Sequence, residues 1–408
     1  MGAADVSPGS PVPDAGCSPR SRARVLILTA GYGEGHNAAA RALAAAFEEL
    51  RGPGTARVVD LFALASPRLN AIVRRGYLQA INRTPRLWSR AYAWMDRSNL
   101  LPRTLLLLRR DLRLLSQIIE SEKPTAICST YPVYAFLVER LRRRGRTDAP
   151  HFNVVTDSIS INSLWWRAGC SGWFVPNEDT AWFLRQAGLD PARLHTFGFP
   201  VTLYFSRHAS EFAPPDLAAG LAPRVLHIIN SGTRQAEATA GALFERQDWD
   251  VTCAVGRDER LRLRLEQMAA GRRRPAQILG WTDAIPHLLM THHVAVSKAG
   301  GATTQEAIAA RCPMIVSQVV PGQEEGNYEL LRRHGAGARA NTPEGVLREL
   351  TRAFANQGAV WNEWRAALGP LSRPNAALEI ASFLLNLPPP AAAARPGRLR
   401  PVQIATPE

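Results

Sequence analysis

Residues 24–50 read RVLILTAGYGEGHNAAARALAAAFEEL. The apolar run before Thr29 predicts a buried strand, the glycines at 31, 33 and 35 a tight turn, and the alanine-rich stretch from Asn37 a helix. The same unit recurs along the chain: ARVVDLF, AICST, HFNVVTD and GWFVPN are short apolar runs, each followed by a helical pattern. Such a rhythm is that of a parallel sheet covered on both faces by helices. It pauses at residues 208–223, HASEFAPPDLAAGLAP, where Pro214, Pro215 and Pro223 interrupt any regular element. It then restarts with RVLHIIN, VTCAVG, AQILGW and VAVSKAGG, and PMIVSQ closes the predicted series. Two successive α/β sheets joined by a proline-bearing linker fit this pattern better than one large sheet. Ligands of such sheets lie at the carboxyl ends of the strands, which here places them in a cleft between the domains.

Composition narrows the chemistry. At 408 residues, with 46% hydrophobic and 21% charged residues, the chain has the balance of a globular protein large enough for two cores. Its formal charge of +14 favours an anionic partner. Cys17, Cys128, Cys170, Cys253 and Cys312 are widely spaced and form no CxxC pair, a pattern of reduced thiols without a zinc site. Residues 1–22 and 388–408 are rich in Pro, Ala and Gly and read as a disordered leader and tail. No run of about 18 uncharged apolar residues predicts a spanning helix.

Two constellations carry chemistry. At the first, the glycines let the backbone approach a ligand and His36 stands where a proton acceptor is useful near neutral pH. The spacing is GxGxG, neither a dinucleotide fingerprint nor a phosphate-binding P-loop, so a plain strand-to-helix turn is the alternative. The second runs from Ser297 to Asn327, SKAGGATTQEAIAARCPMIVSQVVPGQEEGN. Gly300 and Gly301 open a turn, and amides at a helix beginning about Thr303 can hold a diphosphate. Glu306 can accept both hydroxyls of a ribose, or form a capping box with Thr303 that needs no ligand. Gln323, Glu324 and Asn327 follow the next strand in a loop whose polar groups suit sugar hydroxyls, the alternative being a solvated turn.

These motifs, with VVTD (154–157), GFPV (198–201) and Gly280-Trp281, occur in an order that resembles the monogalactosyldiacylglycerol synthases and the bacterial diacylglycerol glucosyltransferases. That family is similar in turn to the peptidoglycan N-acetylglucosaminyltransferase. The resemblance implies an α/β GT-B fold of two Rossmann-like domains facing each other across a cleft: an acceptor domain over residues 23–205, a linker at 206–223, a nucleotide-sugar domain over 224–372 and a C-terminal helix at 373–387. It implies that Ser231 and Gly232 approach the diphosphate, that Thr282 meets the uracil, and that Gly300, Gly301 and Thr303 face the diphosphate. Glu306 would take the ribose, and Gln323, Glu324 and Asn327 the hexose. His36 matches the family's glycine-loop histidine and would act as base or oxyanion stabiliser. The implied reaction is an inverting, single-displacement transfer of galactose or glucose from a UDP-sugar to diacylglycerol, with no metal or other cofactor. The chain departs from the family pattern at Asn162, where plant-type members carry a histidine, at the SGTRQ loop, and at His292-His293, which read as structural because neighbours on a strand point to opposite faces.

The acceptor side is marked by residues 68–115, where arginines interleave with Leu, Trp and Tyr and acids are few. Arg74 and Arg75 at anionic headgroups, with Trp88 and Trp94 at the acyl boundary and Gly35 beside the acceptor hydroxyl, would dock the enzyme peripherally on the cytoplasmic face of a membrane. The alternative is a helical subdomain packed on the first sheet with its arginines in water. Trp165, Trp166 and Trp173 read as core. No nucleic-acid module accompanies the positive charge, so nucleic acid is not the expected partner. Transfer to another hydrophobic acceptor, and a GT-B nucleotide-sugar epimerase, remain the other readings of the same motifs.

Overall fold

The computed structural model describes residues 25–83, 108–159, 161–230, 232–233, 235–322 and 324–388, with side chains described only to residue 76 in the first of these stretches. Ser231, Gln323, Trp88 and Trp94, the leader and residues 389–408 lie outside the described residues.

Among the described residues, twelve strands form two six-stranded sheets. The first holds β1 (Val25–Thr29), β2 (Ala56–Asp60), β3 (Ala126–Ser129), β4 (His151–Val154), β5 (Gly172–Phe174) and β6 (Leu194–His195) in the order β2-β1-β3-β4-β5-β6. The second holds β7 (Arg224–Ile228), β8 (Asp250–Ala254), β9 (Gln277–Leu279), β10 (Val294–Lys298), β11 (Met314–Gln318) and β12 (Gly337–Arg339) in the order β12-β11-β10-β7-β8-β9. Every pairing is parallel. The central strands are buried throughout, as β1 shows with five buried residues, because helices cover both faces.

PMIVSQ does not close the second sheet. β12 pairs beyond it through Met314 and Gly337, an edge strand of three residues too short for periodicity to reveal. In each sheet the strand order reverses once, between β1 and β3 and between β10 and β7. The loops that follow these strands diverge there and leave a crevice at the carboxyl ends.

The cores do not follow the chain in simple succession. Phe199, Val201 and Phe205 pack with Leu226, Ile228 and Ala295 of the second sheet, whereas Leu203 packs with the first. At the other end, the Ala376–Leu385 helix returns to the first domain. Its Ala377, Ile380, Ala381 and Leu384 join Val25, Ile27, Leu43 and Phe47 in one cluster. Gly198 sits at this crossing with φ 107, and a methyl group there would lie 2.5 Å from Arg373 Cβ.

Candidate functional site

His36 is the third residue of the Glu34–Arg51 helix, which begins directly after the turn that follows β1. Gly33 has φ 154, a backbone position open to glycine, and Gly31 N donates to Asp60 Oδ2 at 3.0 Å. These two features tie the turn to the end of β2 and present the helix start to the cleft.

The imidazole bridges the switch point of the first sheet. His36 Nδ1 lies 2.6 Å from Thr130 O, just beyond β3, and 3.0 Å from Thr156 Oγ1, just beyond β4. A carbonyl only accepts, so Nδ1 carries the proton and Nε2 is left as the acceptor in the neutral ring. Burial lowers the His36 pKa, partly opposed by the negative charge of Asp157 and by the Thr130 carbonyl. Asp157 itself is held by the Trp165 indole N–H at 2.8 Å. Tyr131 meets the imidazole edge-on at 5.1 Å and extends into an aromatic cluster with Tyr32, Phe62 and Tyr134. The result is a neutral imidazole on an apolar wall, with Nε2 left able to accept a proton.

The second domain faces this imidazole with a helix start of its own. The Gly301–Ala309 helix has Gly300 as its N-cap, with no side-chain cap. The predicted start at Thr303 is therefore two residues late, and the capping box does not form: Thr303 already lies inside the first turn. Glu306 is instead held in a desolvated position where burial pushes its carboxyl up to about 7, opposed by Arg41 of the first domain. Glu306 is half-buried and has no capping role, which leaves its carboxylate open to a ligand.

Lys298, at the end of β10, was not singled out from the sequence, since a lysine after a strand carries no pattern of its own. Its Nζ lies 3.1 Å from Glu324 Oε1, and both side chains are largely buried. Glu324 also accepts from Val320 N at 2.9 Å through its other oxygen. The amides of the Gly301 helix start place positive potential beside Gly300, with the Lys298–Glu324 ion pair next to it. Asn327 departs from its expected place in the sugar loop. It is 3% exposed, and its Nδ2 donates to Ala299 O at 3.0 Å, which fixes the turn from below.

The other predicted donor residues gather at the same edge. Gly232, with φ 79, accepts from Gln318 Nε2 at 3.2 Å, which links the loops after β7 and β11. Thr282 follows β9, and its hydroxyl accepts from Ala284 N at 3.1 Å. Beside it Trp281 is 64% exposed, with the Arg257 guanidinium 4.5 Å above its ring. Asn162 accepts from Leu164 N at 3.0 Å and acts as a turn cap.

His292 and His293 precede β10 rather than lying on it, so the argument from opposite faces of a strand does not apply. The rings are nonetheless each engaged in the scaffold, His292 with Leu288 O and Thr252 Oγ1, and His293 with Arg224 N and Pro215 O. Among the described residues no three His, Cys, Asp or Glu side chains converge to hold a metal.

The two helix starts meet. A methyl group on Gly35 would lie 3.8 Å from Ala302 N, and one on Gly301 would lie 3.7 Å from Thr156 O. Residues 36–201, which begin at this histidine, match the family described as monogalactosyldiacylglycerol (MGDG) synthase. Over this stretch the chain is similar to the MGDG synthases. A processive diacylglycerol beta-glucosyltransferase of Bacillus licheniformis is 24% identical over 366 residues, covering 89% of this chain and 94% of that one. Its counterpart in Bacillus subtilis is 25% identical over 341 residues, covering 82% and 87%. Among solved structures, UDP-GlcNAc 2-epimerase from Neisseria meningitidis aligns with a TM-score of 0.55 at 10% identity over 89% of this chain and 100% of that one. MurG from Acinetobacter baumannii aligns with a TM-score of 0.55 at 13% identity over 90% and 100%. The chain therefore has the GT-B fold that the resemblance implied.

Proposed function

We propose that this protein transfers a hexose, galactose or glucose, from a UDP-sugar to diacylglycerol with inversion at the anomeric carbon. The observation that carries the reading is His36, its Nδ1 engaged by Thr130 O and its Nε2 left as the acceptor, beside the facing helix start of the second domain. Similarity to proteins named diacylglycerol glucosyltransferases supports the choice of acceptor.

In the proposed step the acceptor hydroxyl gives its proton to His36 Nε2 while its oxygen bonds to the anomeric carbon. The bond from that carbon to the phosphate oxygen breaks, and UDP departs with the electron pair. Charge on the leaving diphosphate is met by the Gly301 helix amides and Lys298, so the reaction is proposed to run without a metal. Glu306 holds the ribose, and Glu324, fixed by Lys298, lies at the hexose end.

Docking on a membrane is part of the proposal. On the Leu61–Ala65 and Pro67–Arg83 helices, Leu64, Leu69 and Ile72 are exposed, the last at 67%, with Arg68, Arg74 and Arg75 also exposed. Apolar side chains flanked by guanidinium groups suit the headgroup boundary of an anionic cytoplasmic leaflet. No helix among the described residues is long and apolar enough to cross a membrane.

The test is a product assay with vesicles of diacylglycerol and anionic lipid, and UDP-galactose or UDP-glucose as donor. A glycolipid from either donor fixes reaction and sugar together. UDP release without acceptor, or a changed free sugar, would overturn the transferase reading in favour of hydrolysis or epimerisation.

A further inference from the structure

The segment from Thr156 to Ile159 is shared between the two domains. Thr156 holds His36 through Oγ1, while its carbonyl lies against Gly301. Two residues on, Ser158 Oγ accepts from Gln305 Nε2 of the Gly301–Ala309 helix at 3.0 Å, with Gln305 5% and Ser158 2% exposed. Ser158 Oγ is also 3.4 Å from Asn177 Nδ2, and Asn177 Oδ1 caps the Glu178–Gln186 helix at Thr180 N.

Ile159 closes the segment at φ 56, a conformation costly for a β-branched residue. It is retained because Ile159 N donates to Thr180 Oγ1 at 2.9 Å and its side chain is buried in the second domain's core. The segment is thus pinned at Ser158 and Ile159 from both sides, by Asn177 and Thr180 of the first domain and by Gln305 and the core of the second.

We propose that Gln305 is a positioning residue that couples the placement of the donor-side helix to the orientation of His36, through Ser158 and Thr156. It rests on the transferase reading in naming His36 as the base. Gln305 points at the first domain and not at the donor, so its contribution is to turnover and not to UDP affinity.

The experiment uses Gln305→Met, which keeps the volume and removes the donor group, and Ser158→Ala, singly and together. Three quantities are read: kcat on diacylglycerol vesicles, UDP affinity by calorimetry, and the ¹⁵N spectrum of His36 in the UDP-bound protein. Each single change is expected to lower kcat about tenfold and the pair no further, the signature of one shared interaction. UDP affinity should stay within about twofold, and the His36 ring ¹⁵N resonances should shift as the Thr156 contact is displaced.

Additive losses, an affinity that falls in step with kcat, or an unchanged His36 spectrum would each overturn the proposal. Were the unsubstituted protein to make no glycolipid, the transferase reading would fail by itself, and the spectrum would still decide the coupling.

Discussion

The Thr130 carbonyl fixes which nitrogen of His36 can accept a proton, and that contact sets the first prediction. His36→Ala should lower kcat by about 10²–10⁴-fold while leaving UDP affinity within about twofold. Because burial lowers the imidazole pKa below its ordinary 6.5, the ring is neutral at neutral pH. The acid limb of the kcat profile should therefore lie below that value, and a limb above it would contradict the assignment.

Glu306 gives the opposite sign. Its carboxyl is raised from 4.5 to about 7, so the folded protein holds a proton that the unfolded chain has released. The stability linked to that proton is fully present below 4.5 and is lost as pH rises through about 7. Glu306→Gln should thus raise the melting temperature at about pH 8 and change it little at about pH 4. The same substitution should weaken UDP binding, and unchanged binding at high pH would remove Glu306 from the ribose. His36 and Glu306 were visible in the sequence because glycine turns flank or precede them. Lys298, Gln305, Thr130 and Thr156 were not, since each acts through a partner far along the chain, as His36 and Thr130 are 94 positions apart.

Helix starts decide more than helix lengths in this molecule. The Glu34 and Gly301 helices approach end to end, with no side chain on Gly35 to separate them. Gly35→Leu should wedge the domains apart, and the expected outcome is loss of turnover with a cooperative unfolding transition retained. Strands β1 to β5 and β7 to β11 were legible because each is an apolar run bounded by turn residues. β6 and β12 span two and three residues and were not legible. The start of the Gly301 helix was misplaced for a different reason: Thr303 and Glu306 have the spacing of a capping box, but a glycine N-cap upstream had already begun the helix.

At the scale of the whole molecule, the sequence showed two sheets but not how the chain crosses between them, because crossing depends on contacts such as Gly198 with Arg373. Gly198→Ala tests that crossing: a side chain at φ 107, pressed against Arg373 and Ala376, should cost about 2 kcal/mol, read as a lowered denaturant midpoint.

The charge of +14 poses the remaining question, whether it acts as a general field or through a defined surface. A general field would be screened by salt and indifferent to single apolar residues. The exposed Leu69 and Ile72 beside Arg74 and Arg75 argue for a surface, since apolar contact and charge together hold a protein at an interface more firmly than either alone. Leu69→Glu with Ile72→Glu should reduce sedimentation with anionic vesicles about tenfold or more. It should lower activity on vesicle diacylglycerol in proportion, yet leave activity on a short-chain diacylglycerol in detergent near that of the unsubstituted protein. Equal loss in both assays would place these residues in the fold and not at the membrane, and sedimentation that responds only to salt would assign the attraction to the field.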